Sequence, residues 1–197
     1  MDFSAAQCDF EYKPDYQEAR ERIQAWLDGK PTDRPVVHLT FPRPEAEQIG
    51  WPQKEHDSLE ERWKDAEFQA DAALAEAHNT VWFAEALPVM MPNLGPEILA
   101  SFYGCPIVYG EDTTWTVPIL DEMDESALDK IHLNLDAPTF HEIMRLTDAY
   151  IERGKGRFLV GYTDFHPSGD AVAAFRDPQE LCLDLYDEAE TVKALLD

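Results

Sequence analysis

The chain alternates short apolar runs with longer stretches of helical period, and that alternation limits the available folds more than any other feature. Pro35-Val36-Val37-His38-Leu39-Thr40-Phe41, Thr80-Val81-Trp82-Phe83-Ala84 and Arg157-Phe158-Leu159-Val160-Gly161-Tyr162 read as three strands, being rich in β-branched and aromatic residues. Helical segments with recognisable ends lie between them. Asp15 opens a helix to about Asp28, where Gly29 is the stop. Ser58 and Glu61 form a capping box for a long helix to about Asn79. Pro96 begins a short helix through Phe102, Asp136 and Pro138 open one to about Arg153, and Asp177-Pro178-Gln179-Glu180 is a further start, repeated by Asp187 and Glu190 for a helix that runs into the C-terminus. Ile107-Val108-Tyr109 and Thr113-Thr114-Trp115-Thr116-Val117 predict a small hairpin outside the main sheet. Residues 1–14 read as an irregular arm. Strands alternating with helices predict an α/β fold of parallel βα units. No linker or repeat marks a boundary, so residues 1–197 read as a single domain. Three strands do not close a barrel, which typically takes eight units and about 250 residues.

Composition narrows the function. A hydrophobic fraction of 44% with five Trp, seven Tyr and ten Phe is that of a folded chain. The net charge of −24, with 40 acidic against 16 basic residues, argues against nucleic acid or an anionic membrane as partner, because phosphate neutralisation needs clusters of Lys and Arg. The sequence contains no apolar run of about 18 residues and no signal-peptide pattern, which predicts a cytoplasmic protein. Cys8, Cys105 and Cys182 are too scattered for a disulfide framework or a CxxC metal site and are expected to be buried thiols.

Four places carry candidate chemistry. Glu85 follows the second strand directly and precedes a loop with Pro88, Pro92 and Gly95; the C-terminal end of a parallel strand is where barrel enzymes place their function. Asp164 and His166 sit in the loop after the third strand, an acid two residues from a histidine, suited to acid–base chemistry or a divalent metal. A capping Asp164 and a packed His166 are the structural alternatives. Arg43, after the first strand, has a planar fork that matches a substrate carboxylate. In a parallel sheet these residues cluster at one set of strand ends. His38, inside a strand, reads as a hydrogen-bonded core histidine.

Several segments resemble the uroporphyrinogen decarboxylase superfamily, which includes corrinoid-linked methyltransferases and folds as an eight-stranded α/β (TIM) barrel. Phe83-Ala84-Glu85-Ala86-Leu87 with Leu94-Gly95 is similar to the family's Phe-Ser-Asp-Ile-Leu and downstream Leu-Gly. Pro118-Ile119 with Leu128, Phe158-Leu159-Val160-Gly161-Tyr162, and the tail from Asp184 to Leu196 resemble later family segments in order. The resemblance spans roughly residues 15–197 and implies the N-terminal half of a barrel, with the hairpin as an insertion. It implies Glu85 as central acid; Asp164 and His166 stand beside it as further catalytic candidates, and Arg43 and Tyr162 as candidate substrate contacts. Three departures stand out. Phe41-Pro42-Arg43-Pro44 replaces Met-Arg-Gln-Ala-Gly-Arg, Glu85 replaces an Asp, and Thr163-Asp164-Phe165-His166-Pro167 replaces Ala-Gly-Ala-Pro-Phe.

The resemblance implies a lyase-type, cofactor-free decarboxylation of a small carboxylated or tetrapyrrole-like substrate. Glu reaches about 1.5 Å further than Asp by ordinary bond lengths, which points to a divergent substrate. The methyltransferase alternative requires zinc and a corrinoid, with zinc-binding His and Cys on strands beyond those matched. A third reading is a non-catalytic, incomplete-barrel binding protein. Its open sheet edge would recruit another copy or a complementing chain.

Overall fold

The computed structural model describes residues 10–196. In chain order they form α1 (Tyr16–Leu27), β1 (His38–Pro42), α2 (Leu59–Lys64), α3 (Ala66–Asn79), β2 (Thr80–Ala84), β3 (Val89–Met90), α4 (Ile98–Ser101), β4 (Ile107–Tyr109), β5 (Thr114–Thr116), α5 (Pro138–Gly154), β6 (Leu159–Val160), α6 (Gly169–Arg176), α7 (Pro178–Asp187) and α8 (Ala189–Leu196). Short 3-10 turns occupy Glu45–Glu47 and Glu125–Ala127. Most of the arm expected over residues 1–14, and Cys8 with it, lies outside the described residues. The chain divides into two compact units of interleaved segments. One comprises residues 10–55 with 66–92 and 147–162; the other comprises 56–65, 93–146 and 163–196.

Mixed helix and strand is the observed class, but the sheets are three separate pairs and the described residues form no closed barrel. In the first unit β1 pairs with β2 antiparallel, His38 opposite Ala84 and Pro42 opposite Thr80. This corrects the expectation of parallel strands, and the cause is local. Helix α3 passes into β2 with no intervening loop, and the chain leaving β1 is tied to that junction. Arg43 N–H donates to Asn79 O at 2.7 Å, and Arg43 Nε to His78 O at 2.7 Å. The Asn79 side chain exchanges two hydrogen bonds with the backbone of Ile49, at 2.8 and 3.0 Å. The exit of β1 therefore meets the entry of β2, and the two strands must run in opposite directions.

The parallel pair is β3 with β6, Val89 opposite Leu159. Its first strand lies between Pro88 and Pro92, in a stretch the sequence pattern assigns to a loop. Two residues are short enough to pair without either proline having to donate. The expected single helix from Ser58 is interrupted at Asp65, whose ψ of 93° is extended. The Ser58 cap itself forms, its Oγ accepting from Glu61 N–H at 3.1 Å. Helix α3 buries Ala70, Ala73, Ala75 and Ala77. His38 is exposed and not a core residue, as is all of β1.

In the second unit β4 and β5 form the expected hairpin, Val108 opposite Trp115. Gly95 is needed beside it: its φ is +105° and a Cβ there would lie 1.6 Å from Thr114 Oγ1. Thr114 Oγ1 donates to Leu94 O at 2.8 Å, fixing the Leu-Gly pair against the hairpin. The core of this unit gathers Ala100, Cys105, Leu120, Met123, Val172, Phe175 and Val192. Burial pushes the Cys105 thiol up to about 12, with a smaller contribution from Glu97, so it stays a packing group. Cys182 is exposed, against expectation. The Asp177 start is realised: Oδ1 accepts from Gln179 and Glu180 N–H at 2.8 and 3.3 Å, with Pro178 in the first turn.

Candidate functional site

The end of β2 gathers an unusual share of the chain's few cations. Ala84, the last strand residue, is left-handed with φ +55°, a conformation that costs an L-residue with a side chain. Glu85 follows, and its N–H donates to Val37 O at 2.9 Å, extending the ladder by one residue beyond His38–Ala84. The side chain turns back on the same neighbour. Val37 N–H donates to Glu85 Oε2 at 2.9 Å.

Two arginines complete the shell. Arg34, in the turn after Gly29, forks onto the carboxylate with Nη1 to Oε2 at 2.8 Å and Nη2 to Oε1 at 2.6 Å. Arg22, on α1, donates Nη1 to Oε1 at 2.7 Å while its Nε holds Asp33 at 2.7 Å. Each Glu85 oxygen thus has two donors, which fills the acceptor capacity of a carboxylate. Glu85 is only 3% exposed. Burial works to raise its pKa, but hydrogen bonds from Arg34, Val37 N–H and Arg22 outweigh it and hold the carboxyl down to about 2. Asp33 is held below its ordinary value by the hydrogen bond from Arg22, and the Arg22 guanidinium is raised by Asp33 first and Glu85 second. A cleft of about 310 Å³ adjoins the Arg22–Asp33 pair, lined also by Glu18, Glu21 and Thr32.

A third cation lies behind the strand. Lys13 Nζ donates to Ala84 O at 2.5 Å and Trp82 O at 3.1 Å and pairs with Asp15 at 2.9 Å. Sequence reasoning found Glu85 but missed Lys13, Arg22 and Arg34. The available signal was scarcity: residues 13–34 hold five of the chain's 16 basic residues, and two of them, Arg22 and Arg34, share Glu85.

Within the first unit, Arg43 and Glu85 do not share one set of strand ends. Arg43 follows β1, and in the antiparallel pair it lies at the opposite end of the ladder from Glu85. The six residue steps from Val37 to Arg43 span about 20 Å at about 3.4 Å each. Arg43 is occupied by His78 O and lies 3.6 Å from Glu47. Tyr162 is 90% exposed. Asp164 and His166 belong to the second unit, where they do come together: His166 Nε2 lies 3.1 Å from Asp164 and Nδ1 3.7 Å from Asp170. The zinc of the methyltransferase reading needs several ligands within reach of one ion. Among the described residues no group of three or more His, Cys, Asp or Glu is so placed. Among the described residues, no helix is long and apolar enough to cross a membrane.

No family model matches the chain, and neither a curated protein nor a solved structure is significantly similar to it.

Proposed function

We propose that this chain is a divergent uroporphyrinogen decarboxylase-like protein of TIM-barrel type, a cofactor-free carboxy-lyase whose central acid is Glu85. One observation supports this reading above the others. A carboxylate is buried at the end of a strand, charged at neutral pH, with one of its two arginine partners facing solvent. Arg34 is that partner, its side chain 41% exposed against 18% for Arg22.

A substrate carboxylate offers the Arg34 fork the same two-oxygen geometry that Glu85 offers. When the fork turns to it, Oε1 keeps Arg22 and Oε2 keeps Val37 N–H. One acceptor position opens on each oxygen. A proton drawn from solvent water onto a pyrrole-type carbon makes the ring cationic, and ring N–H groups are donors for those positions. The fixed negative charge stabilises the cation while the carbon–carbon bond breaks, carbon dioxide leaves and the electron pair returns to the ring. The test is carbon dioxide release from a panel of pyrrole carboxylates and porphyrinogens in metal-free buffer. Wild type is expected to release it, Glu85→Gln to lose activity by about 100-fold or more, and Arg34→Met to raise KM. No release by the wild type from any member of the panel overturns the reading.

A second reading, a non-catalytic assembly unit, is favoured by the β1–β2 ribbon. Leu39, Phe41 and Phe83 share one face, since Leu39 lies opposite Phe83 and Phe41 opposite Val81, and they are 41%, 50% and 56% exposed. A second copy brings another −24 of charge, so the complement in this reading is a different chain carrying further α/β elements. A wild type that releases carbon dioxide without any added chain removes this reading.

A further inference from the structure

We propose that Lys13 is the positioning residue of this site: its Nζ holds the left-handed turn at Ala84 that aims Glu85 at its arginines. The inference deepens the reading of Glu85 as central acid and takes its functional meaning from it, but its geometry is testable without substrate.

Lys13 is 1% exposed, although lysine is among the residues least often buried. Its three donor directions meet Ala84 O, Trp82 O and the Asp15 carboxylate, so each is used. The two carbonyls bracket Phe83 and end on Ala84, the residue whose φ is +55°. An alanine rests there only when its surroundings over-determine the conformation. Lys13 supplies that constraint from one side, and the Glu85–Val37 pair supplies it from the other. The segment bearing Lys13 is itself fixed. Lys13 N–H donates to Phe10 O and Tyr16 N–H to Lys13 O, both at 3.0 Å, and the Phe10 and Tyr16 rings meet edge to face at 4.8 Å. The same segment continues into α1 and delivers Arg22 nine residues later, so one stretch of chain sets both the turn before Glu85 and a partner of its carboxylate.

A left-handed residue sends the chain in a direction an extended one does not. If Ala84 relaxes to extended backbone, the Glu85 side chain leaves the Val37 N–H and the Arg34 fork together. Glycine adopts positive φ without help, and Ala84→Gly should therefore make Lys13 dispensable.

The experiment is a carboxyl-carbon NMR titration of Glu85 in the full chain, with the backbone shifts of the preceding residue read alongside. In the wild type Glu85 is expected to titrate at about 2. In Lys13→Met the midpoint should rise toward the ordinary glutamate value of about 4.3, and Ala84 should lose its left-handed shifts. In Lys13→Met with Ala84→Gly the midpoint should return to about 2. A lysine that only contributes stability would lower the melting temperature without moving this midpoint, and glycine would not restore it. An unmoved midpoint in folded Lys13→Met, or no recovery in the double variant, overturns the proposal. Should Lys13→Met not fold alone, the double variant decides: folded with Glu85 at about 2 supports the proposal, and unfolded or titrating near about 4.3 ends it. A chain that passes this test yet releases no carbon dioxide keeps the role of Lys13 and loses the decarboxylase reading.

Discussion

At the scale of single residues, Glu85 couples stability to pH. Its folded pKa lies below the unfolded value of about 4.3, so the unfolded chain takes up the proton first. The stabilisation is complete above about 4.3 and is lost as pH falls toward about 2. Glu85→Gln is expected to lower the unfolding free energy by roughly 2–3 kcal/mol at neutral pH, less than the roughly 3–5 kcal/mol of a wholly buried pair because Arg34 regains water. Urea denaturation of both proteins across that pH window should show the difference shrinking as the acid is titrated; a constant difference would mean the ion pairs contribute nothing. Ala84→Gly alone should stabilise by about 1 kcal/mol, read as a higher urea midpoint, since the left-handed strain disappears. The position of Glu85 at a strand end was legible, because four apolar residues, Val81 to Ala84, precede it and prolines follow. Its partners were not, because Arg34, Arg22 and Lys13 reach residues 51, 63 and 71 positions away along the chain, and no local pattern encodes such distances.

At the scale of elements, spans were easier to read than directions. The strand at 80–84, the hairpin at 107–116, the helix from Pro138 and the Asp177 start all follow local chemistry: apolar run, turn residues, proline and cap. The antiparallel sense of β1 and β2 does not. It depends on Asn79 and on backbone groups of Arg43 and Ile49, and an asparagine at a helix end looks alike whatever it later binds. Asn79→Ala tests this dependence. It leaves an N–H and a carbonyl of Ile49 without their partners, at a cost of about 1–3 kcal/mol. Amide exchange should quicken at Ile49 and along β1, while the amides of α6 and α7 in the other unit stay protected. Equal acceleration in both units would show that the clamp has no local meaning.

At the scale of the whole molecule, charge and exposed apolar surface oppose each other. With a net charge of −24 the folded chain repels itself and its copies, while the Leu39, Phe41 and Phe83 face favours contact. Raising sodium chloride shortens the screening length from about 10 Å at 0.1 M to about 3 Å at 1 M. Sedimentation velocity should then show self-association growing with salt in the wild type and much reduced in Phe41→Glu with Phe83→Glu; association independent of both would assign it to another surface. The loopless passage from α3 into β2 bears on what lengths this chain can tolerate. One residue inserted between Asn79 and Thr80 would exchange the two faces of the strand, turning Trp82 outward and carrying Glu85 away from Val37 and both arginines. The same insertion in the loop at 50–56 would leave that ladder untouched. Insertions and deletions in related chains should therefore collect in the second place and be excluded from the first.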